Sequence, residues 1–292
     1  MYAITGITGN VGGALANTLL AAGRPVRAIM RDEAKASPWA AKGCEIAIAE
    51  MTDAAALTSA FRGAEAAFIL PPPEFDPQPG YPEAGQVIGA VAAALTAARP
   101  KRVLCLSTIG ADAPHDNLLS QRTLMETALR GLDLPVTFLR PAWFMENAAW
   151  DVVSAREEGV LHSFLQPADK GFPMVATEDV GRLAAELIQQ DWTGERIVEL
   201  EGPTLVSPND LARAFAETLG TPVRVEVVPR QIWEAMFRAQ GMQHPMPRIR
   251  MLDGFNEGWI SFGTDASKRV RGMVALAEVI RKLVGEEADQ SG

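Results

Sequence analysis

The turn Thr5-Gly6-Ile7-Thr8-Gly9-Asn10-Val11-Gly12 constrains this chain more than any other stretch. Residues 1–4 read as a short buried strand and residues 11–22 as the helix that follows. Between them, three glycines at Gly-x-x-Gly-x-x-Gly spacing sit where a backbone turns tightly, approaches an anion closely and packs a helix start against a strand. Unpaired N–H groups at that helix start would face a pyrophosphate. Three such glycines alone also mark ordinary turns; the strand before and the helix after select a dinucleotide site.

Apolar runs at 25–30, 44–49, 66–70, 103–107 and 136–139 are continuous rather than alternating, as expected for strands covered on both faces of a parallel sheet. Helical patterns at 53–61, 86–98 and 117–131 supply the right-handed crossovers. The expected fold class is α/β, a Rossmann-type doubly wound parallel sheet with a smaller interleaved α/β cap domain. After Pro141 the rhythm changes. Residues 143–158 read as a helix, 177–190 as a second helix with acidic residues in its first turn, and 196–200 as a strand joining the same sheet. A helix at 207–219 opens with a Ser207 cap and Pro208 at its first position. Residues 223–228 alternate like a strand, 229–263 are rich in Met and aromatics, and 273–284 form an amphipathic helix. The expected division is 1–142 plus about 177–202 for the cofactor-binding domain and about 143–176 plus 203–285 for the cap. Residues 286–292 are expected to be a flexible tail.

A net charge of −9 and a pI near 5.0 argue against a nucleic-acid partner, because neutralising a phosphate backbone needs a basic face. No stretch approaches a membrane span, and the chain enters its first strand without a basic leader, so a soluble, cytoplasmic protein with no membrane partner is expected. Cys44 and Cys105 fall at or in buried strands; without Cys-x-x-Cys or clustered His, neither a disulfide framework nor a metal site is expected.

The end of the second strand selects between cofactors. An acid there binds the adenosine ribose of NAD, whereas an Arg accommodates the 2′-phosphate of NADP. Arg31 lies 19 positions after Gly12, with Lys35 one helical turn further on, so NADP(H) is expected over NAD(H). The competing readings are that Asp32 meets the ribose or that Arg31 is a solvated charge. Glu50 and Met51 close the third strand and can flank the adenine, while Asp53 reads as the N-cap of the next helix. The proline-rich segment 71–82 follows the fourth strand at the ligand-binding end of such a sheet, either as a stiff cover over a cofactor or as an inert connector. His115 has no neighbouring acid and reads as a solvated loop residue. Phe255, Trp259 and Phe262 repeat at helical spacing and read as cap-domain core.

These features, with Ser107-Thr108-Ile109-Gly110 and Leu139-Arg140-Pro141-Ala142-Trp143-Phe144-Met145-Glu146-Asn147, resemble the NmrA-like family of atypical short-chain dehydrogenase/reductases, most nearly its NAD(P)H:quinone oxidoreductase branch. The resemblance implies a nicotinamide cofactor lying between the Rossmann and cap domains. It implies that Gly6, Thr8, Gly9, Asn10, Val11 and Gly12 hold the pyrophosphate, Arg31 the ribose phosphate, Leu70 and Pro71 the adenosine side, and Ser107 and Thr108 the approach to the nicotinamide. Pro141, Trp143, Phe144 and Asn147 would border the nicotinamide and substrate. The alternative for Trp143 and Phe144 is simple core packing.

One departure matters for mechanism. Many short-chain enzymes place Tyr-x-x-x-Lys on the helix after the fifth strand; here the corresponding spacing holds Leu118 and Arg122, which cannot perform that proton transfer. Arg122 matches a position where the family often has Lys, and so can contact the cofactor's ribose hydroxyl or polarise a substrate oxygen as a catalytic group. Its alternative is an i,i+4 ion pair with Glu126. Without the Tyr acid, the acceptor expected is a quinone or a similarly conjugated small molecule, whose reduced form is a weakly basic phenolate that water can protonate. The rival reading is a non-catalytic NAD(P)-binding redox sensor that acts through a protein partner.

Overall fold

The computed structural model describes residues 1–290. In chain order the elements are β1 (Tyr2–Thr5), α1 (Asn10–Ala21), β2 (Val26–Met30), α2 (Ser37–Ala41), β3 (Glu45–Ile48), α3 (Ala54–Phe61), β4 (Ala66–Ile69), α4 (Pro82–Ala98), β5 (Arg102–Leu106), α5 (Ser120–Arg130) and β6 (Val136–Pro141). There follow β7 (Trp143–Phe144), α6 (Val152–Glu157), β8 (Val160–Ser163), β9 (Phe172–Val175), α7 (Thr177–Ile188), β10 (Glu195–Glu201), β11 (Leu205–Val206), α8 (Pro208–Leu219), β12 (Arg224–Val227), α9 (Trp233–Ala239), α10 (Met246–Glu257), β13 (Val270–Arg271) and α11 (Leu276–Gln290). The chain divides into two compact units. One comprises Met1–Ala111, Leu119–Arg140 and Glu178–Val198; the other comprises Asp112–Leu118, Pro141–Thr177 and the chain from Glu199 onward.

The first unit is a doubly wound parallel sheet in the order β10-β6-β5-β4-β1-β2-β3. Its β1, β2, β4, β5 and β6 are buried along nearly their whole length, which is why their sequences are continuously apolar. Strand β3 departs from that expectation. It lies at the sheet edge, and Ile48 is 45% exposed. Phe61, Val91, Leu95 and Phe138 pack with β1, β4 and β5 into one buried cluster, each side chain contributing roughly 1.5–3 kcal/mol relative to exposure. Strand order reverses between β1 and β4, both parallel to each other (Tyr2↔Ala66, Ile4↔Phe68). Ligands of open α/β sheets bind in the crevice at such a switch point, beyond the carboxyl ends of the strands.

In the second unit, β11-β9-β7 and β12-β8 form two small sheets. The last residues of β10, Leu200 and Glu201, pair with Val270 and Arg271 of β13. Helix α8 starts as its sequence indicates: Ser207 and Asp210 form a reciprocal capping box, with Pro208 in the first turn.

Residues 143–158 are not one helix. Trp143 and Phe144 pair with Met174 and Val175 of β9, and backbone bonding to that strand displaces the helical conformation that local propensity favours. A 3₁₀ stretch, Met145–Asp151, then leads into α6. Helix α5 begins at Ser120 rather than 117, because the Leu118 N–H donates to the Pro247 carbonyl; Leu118 and Arg122 therefore do not share a helix. Helix α11 runs on into the segment expected to be a tail, whose final residues 291 and 292 lie outside the described residues. Among the described residues no helix is long and apolar enough to cross a membrane.

Candidate functional site

Helix α1 opens on Gly9, whose extended backbone (φ −95°, ψ 172°) places it as the N-cap without any side-chain cap, and the first turn carries no acidic residue. Its leading N–H groups and the positive end of its dipole are thus left for a ligand. Thr8, Gly9 and Asn10 are exposed around this start, whereas Val11 and Gly12 are buried beneath it. Gly6 has φ +65°, a left-handed conformation that only glycine adopts freely. A Cβ on Gly12 would lie 2.2 Å from the Gly6 carbonyl oxygen; one on Gly9 would lie 3.5 Å from the same atom, ordinary contact. The cradle thus fits a pyrophosphate: one glycine is demanded by chain packing, while another leaves open the face a phosphate would approach.

Thr5 fixes that cradle against β4. Its hydroxyl donates to the Phe68 carbonyl (3.0 Å) and accepts from the Leu70 N–H (2.8 Å). Sequence reasoning read Thr5 only as part of the turn. A threonine at the carboxyl end of a buried strand, where a lone hydroxyl needs partners, was the available signal.

At the end of β2, Arg31 and Lys35 are exposed. Asp32 accepts from the Ala34 N–H (3.0 Å) and caps the turn Glu33–Lys35, so its carboxylate is engaged locally. Glu50 is exposed and Met51 half-buried just beyond β3, and Asp53 caps α3 through Ala55 and Ala56. The proline-rich segment is pinned from α5: Arg122 donates to the Pro71 carbonyl (3.1 Å) and Gln121 to the Glu74 carbonyl (3.0 Å). A cavity of about 240 Å³ is lined by Arg31, Pro71, Glu74, Glu83, Arg122 and Met125 among others. It brings Arg31 and Arg122 together on one space. Burial lowers the Arg122 pKa from its ordinary value.

The ion pair between Arg122 and Glu126 is not formed. Glu126 is buried and bound by the Nε and Nη2 of Arg140 (2.9 and 2.8 Å), by Arg130 (2.8 Å) and by the Ser107 hydroxyl. Ser107 is thereby held on a buried network, and Thr108 beside it is half-buried.

In the second unit, Pro141 is buried, while Trp143, Phe144 and Asn147 are half-buried. Trp143 meets Phe255 edge to face, ring centres 5.1 Å apart. Glu146 accepts from the Thr177 N–H and hydroxyl (2.8 and 2.6 Å), and burial raises its pKa. His115 is exposed and edge-on to Trp259. Among the described residues no cluster of His, Cys, Asp and Glu could hold a metal.

Burial also pushes the Asp151 carboxyl up to about 7, from 3.8. A carboxyl raised on folding adds stability that is complete below its unfolded pKa and is lost as pH rises through its folded one. Thermal denaturation of the wild type is therefore expected to show Tm falling between about pH 5 and pH 8 by more than in Asp151→Asn. Parallel Tm curves would refute this.

The sequence pattern of the NmrA-like family matches residues 2–258. The chain belongs to that family. Quinone oxidoreductase 2 of Escherichia coli is 28% identical over 288 residues, 98% of this chain and 94% of the relative. The NAD(P)H azoreductase of Xenophilus azovorans is 26% identical over 261 residues, 88% of this chain and 85% of the relative. The crystal structure of an NADPH-dependent quinone oxidoreductase from Escherichia coli, complexed with NADPH, superposes with a TM-score of 0.80 at 25% identity, covering 97% of this chain and 99% of that one.

Proposed function

We propose that this protein is an NAD(P)H-dependent oxidoreductase that prefers NADPH and reduces a quinone or a similarly conjugated small molecule. The observation that carries the reading is the uncapped start of α1, stripped of acidic residues and walled by Gly6 and Gly12, with Arg31 at the end of the neighbouring strand. The named relatives, an azoreductase and quinone oxidoreductases, support the class of reaction.

On this reading, backbone N–H groups from Gly9 to Gly12 take the pyrophosphate, Arg31 takes the 2′-phosphate with Lys35 adding to the local positive charge, and Glu50, Met51, Leu70 and Pro71 border the adenosine. Reduced nicotinamide supplies hydride when bound. Ser107 and Thr108 shape its approach. Trp143, Phe144 and Pro141 offer apolar walls, and the Asn147 amide can donate to an acceptor oxygen. Arg122 is a positioning residue. It holds the Pro71 carbonyl and thus fixes the segment after β4, and its remaining N–H groups are available to an anion in the shared cavity.

The missing Tyr acid selects the acceptor. A simple ketone reduced by hydride becomes a strongly basic alkoxide that needs a positioned proton, whereas a quinone becomes a phenolate that takes its proton from water. Placement then accounts for most of the rate. Purified protein with NADPH and a panel of quinones should consume NADPH in proportion to quinone added; no turnover above background with any acceptor would overturn the reading.

Cofactor preference rests on Arg31. Arg31→Ala should weaken NADPH binding by about 1.5–3 kcal/mol, the range for a hydrogen bond to a charged group, and leave NADH nearly untouched. Calorimetric titration of both cofactors decides; equal losses would remove Arg31 from this role.

A further inference from the structure

A second cavity, of about 170 Å³, lies wholly within the second unit, where Lys170, Phe172, Phe255, Ile260, Ser261, Phe262 and Arg269 line it with neighbouring backbone. Its lining is largely aromatic: Phe172, Phe255 and Phe262 are each less than a tenth exposed. A cavity of similar size, about 150 Å³, is enough to hold benzene when its lining is apolar. By volume alone, this space can take one aromatic ring.

Its charge is specific as well. The Lys170 ammonium donates to the carbonyls of Phe255 (3.0 Å) and Asn256 (2.7 Å) at the end of α10, and lies 5.1 Å from the centre of the Phe172 ring. Those two carbonyls end α10; they satisfy two of its three protons, and the helix dipole offsets part of its charge. No carboxylate pairs with Lys170 among the described residues. Arg269, 4.8 Å from the Phe262 ring, is balanced by Glu201 at 3.2 Å. Lys170, paired with no carboxylate among the described residues, thus borders an aromatic-lined pocket, and the exposed Ser261 hydroxyl adds a polar group there.

We propose that this cavity is a binding site for a single-ring aromatic monoanion, an arenecarboxylate or arenesulfonate, with its ring among Phe172, Phe255 and Phe262 and its anionic group at Lys170. The proposal does not rest on the oxidoreductase reading, and every residue lining the site belongs to the second unit.

The test is calorimetric titration of the full chain, without nicotinamide cofactor, using benzoate, benzenesulfonate, benzyl alcohol and acetate. Benzoate or benzenesulfonate should bind, benzyl alcohol should bind at least about tenfold more weakly, a difference of about 1.4 kcal/mol, and acetate should not bind. The preference between the two anions names the acid. Lys170→Met should remove the preference for an anion while leaving benzyl alcohol unchanged. Because that change also frees two helix-end carbonyls, Ser261→Trp, at an exposed position, provides an independent block and should abolish binding of every ring. Absence of binding to wild type, benzyl alcohol binding as tightly as benzoate, or benzoate binding unaltered in Ser261→Trp would each overturn the proposal.

Discussion

Gly12→Val is expected to abolish NADPH binding and to destabilise the protein, whereas Gly9→Ala is expected to fold like the wild type and still lose affinity. The two glycines differ in what surrounds them. A side chain at Gly12 would begin 2.2 Å from the Gly6 carbonyl oxygen, a backbone atom with little freedom to retreat because Gly6 itself turns against Leu70. Overpacking of this kind costs roughly 1–3 kcal/mol or more, and relief requires α1 to move away from β1, carrying its N–H groups with it. At Gly9 the added methyl meets only ordinary contact inside the protein, so any loss comes from the space a phosphate would occupy. We expect Gly9→Ala to raise the NADPH Kd by at least about tenfold, about 1.4 kcal/mol, with a urea midpoint close to wild type. Unchanged affinity in Gly9→Ala would mean that the opening motif is a structural turn and nothing more.

The second large effect is expected at Glu126. Its carboxylate is 1% exposed and accepts from Arg140, Arg130 and Ser107 at once. Glu126→Ala removes the buried carboxylate that Arg140, Arg130 and Ser107 share, and breaking a buried ion pair from one side typically costs about 3–5 kcal/mol. Equilibrium urea unfolding should register that loss. Glu126→Leu combined with Arg140→Met should recover much of it, because removing both charges also removes the desolvation penalty. A loss under about 1 kcal/mol in Glu126→Ala would show that the network contributes little beyond packing.

The parts of this fold legible in the sequence are those dictated by local chemistry. A backbone that must turn at Gly6 and pack at Gly12 leaves few alternatives, Asp53 and Ser207 announce helix starts through their own side chains, and strands buried on both faces are written as unbroken apolar runs. Illegible parts depend on partners distant in sequence. Trp143 and Phe144 become a strand only because Met174 and Val175 lie beside them, and β8 and β9 are too short to display alternation. Arg122 shows the same limit within the candidate site. Its spacing to Glu126 suggests a helix-surface ion pair, yet Arg140, contributed by β6, claims that carboxylate and leaves Arg122 to the Pro71 carbonyl. A competition between two arginines for one acid is decided by tertiary geometry.

Strand β10 has a consequence for synthesis. The sheet of the first unit needs it beside β6, yet it begins only at residue 195 of 292, after a long excursion of the chain through the second unit. A nascent chain that has produced every strand from β1 to β6 still exposes the unpaired edge of β6, a hazard that persists until β10 leaves the ribosome. Neither unit can be excised as a continuous segment, and a terminator placed between β6 and β10 yields a chain with an open sheet edge rather than a smaller working domain.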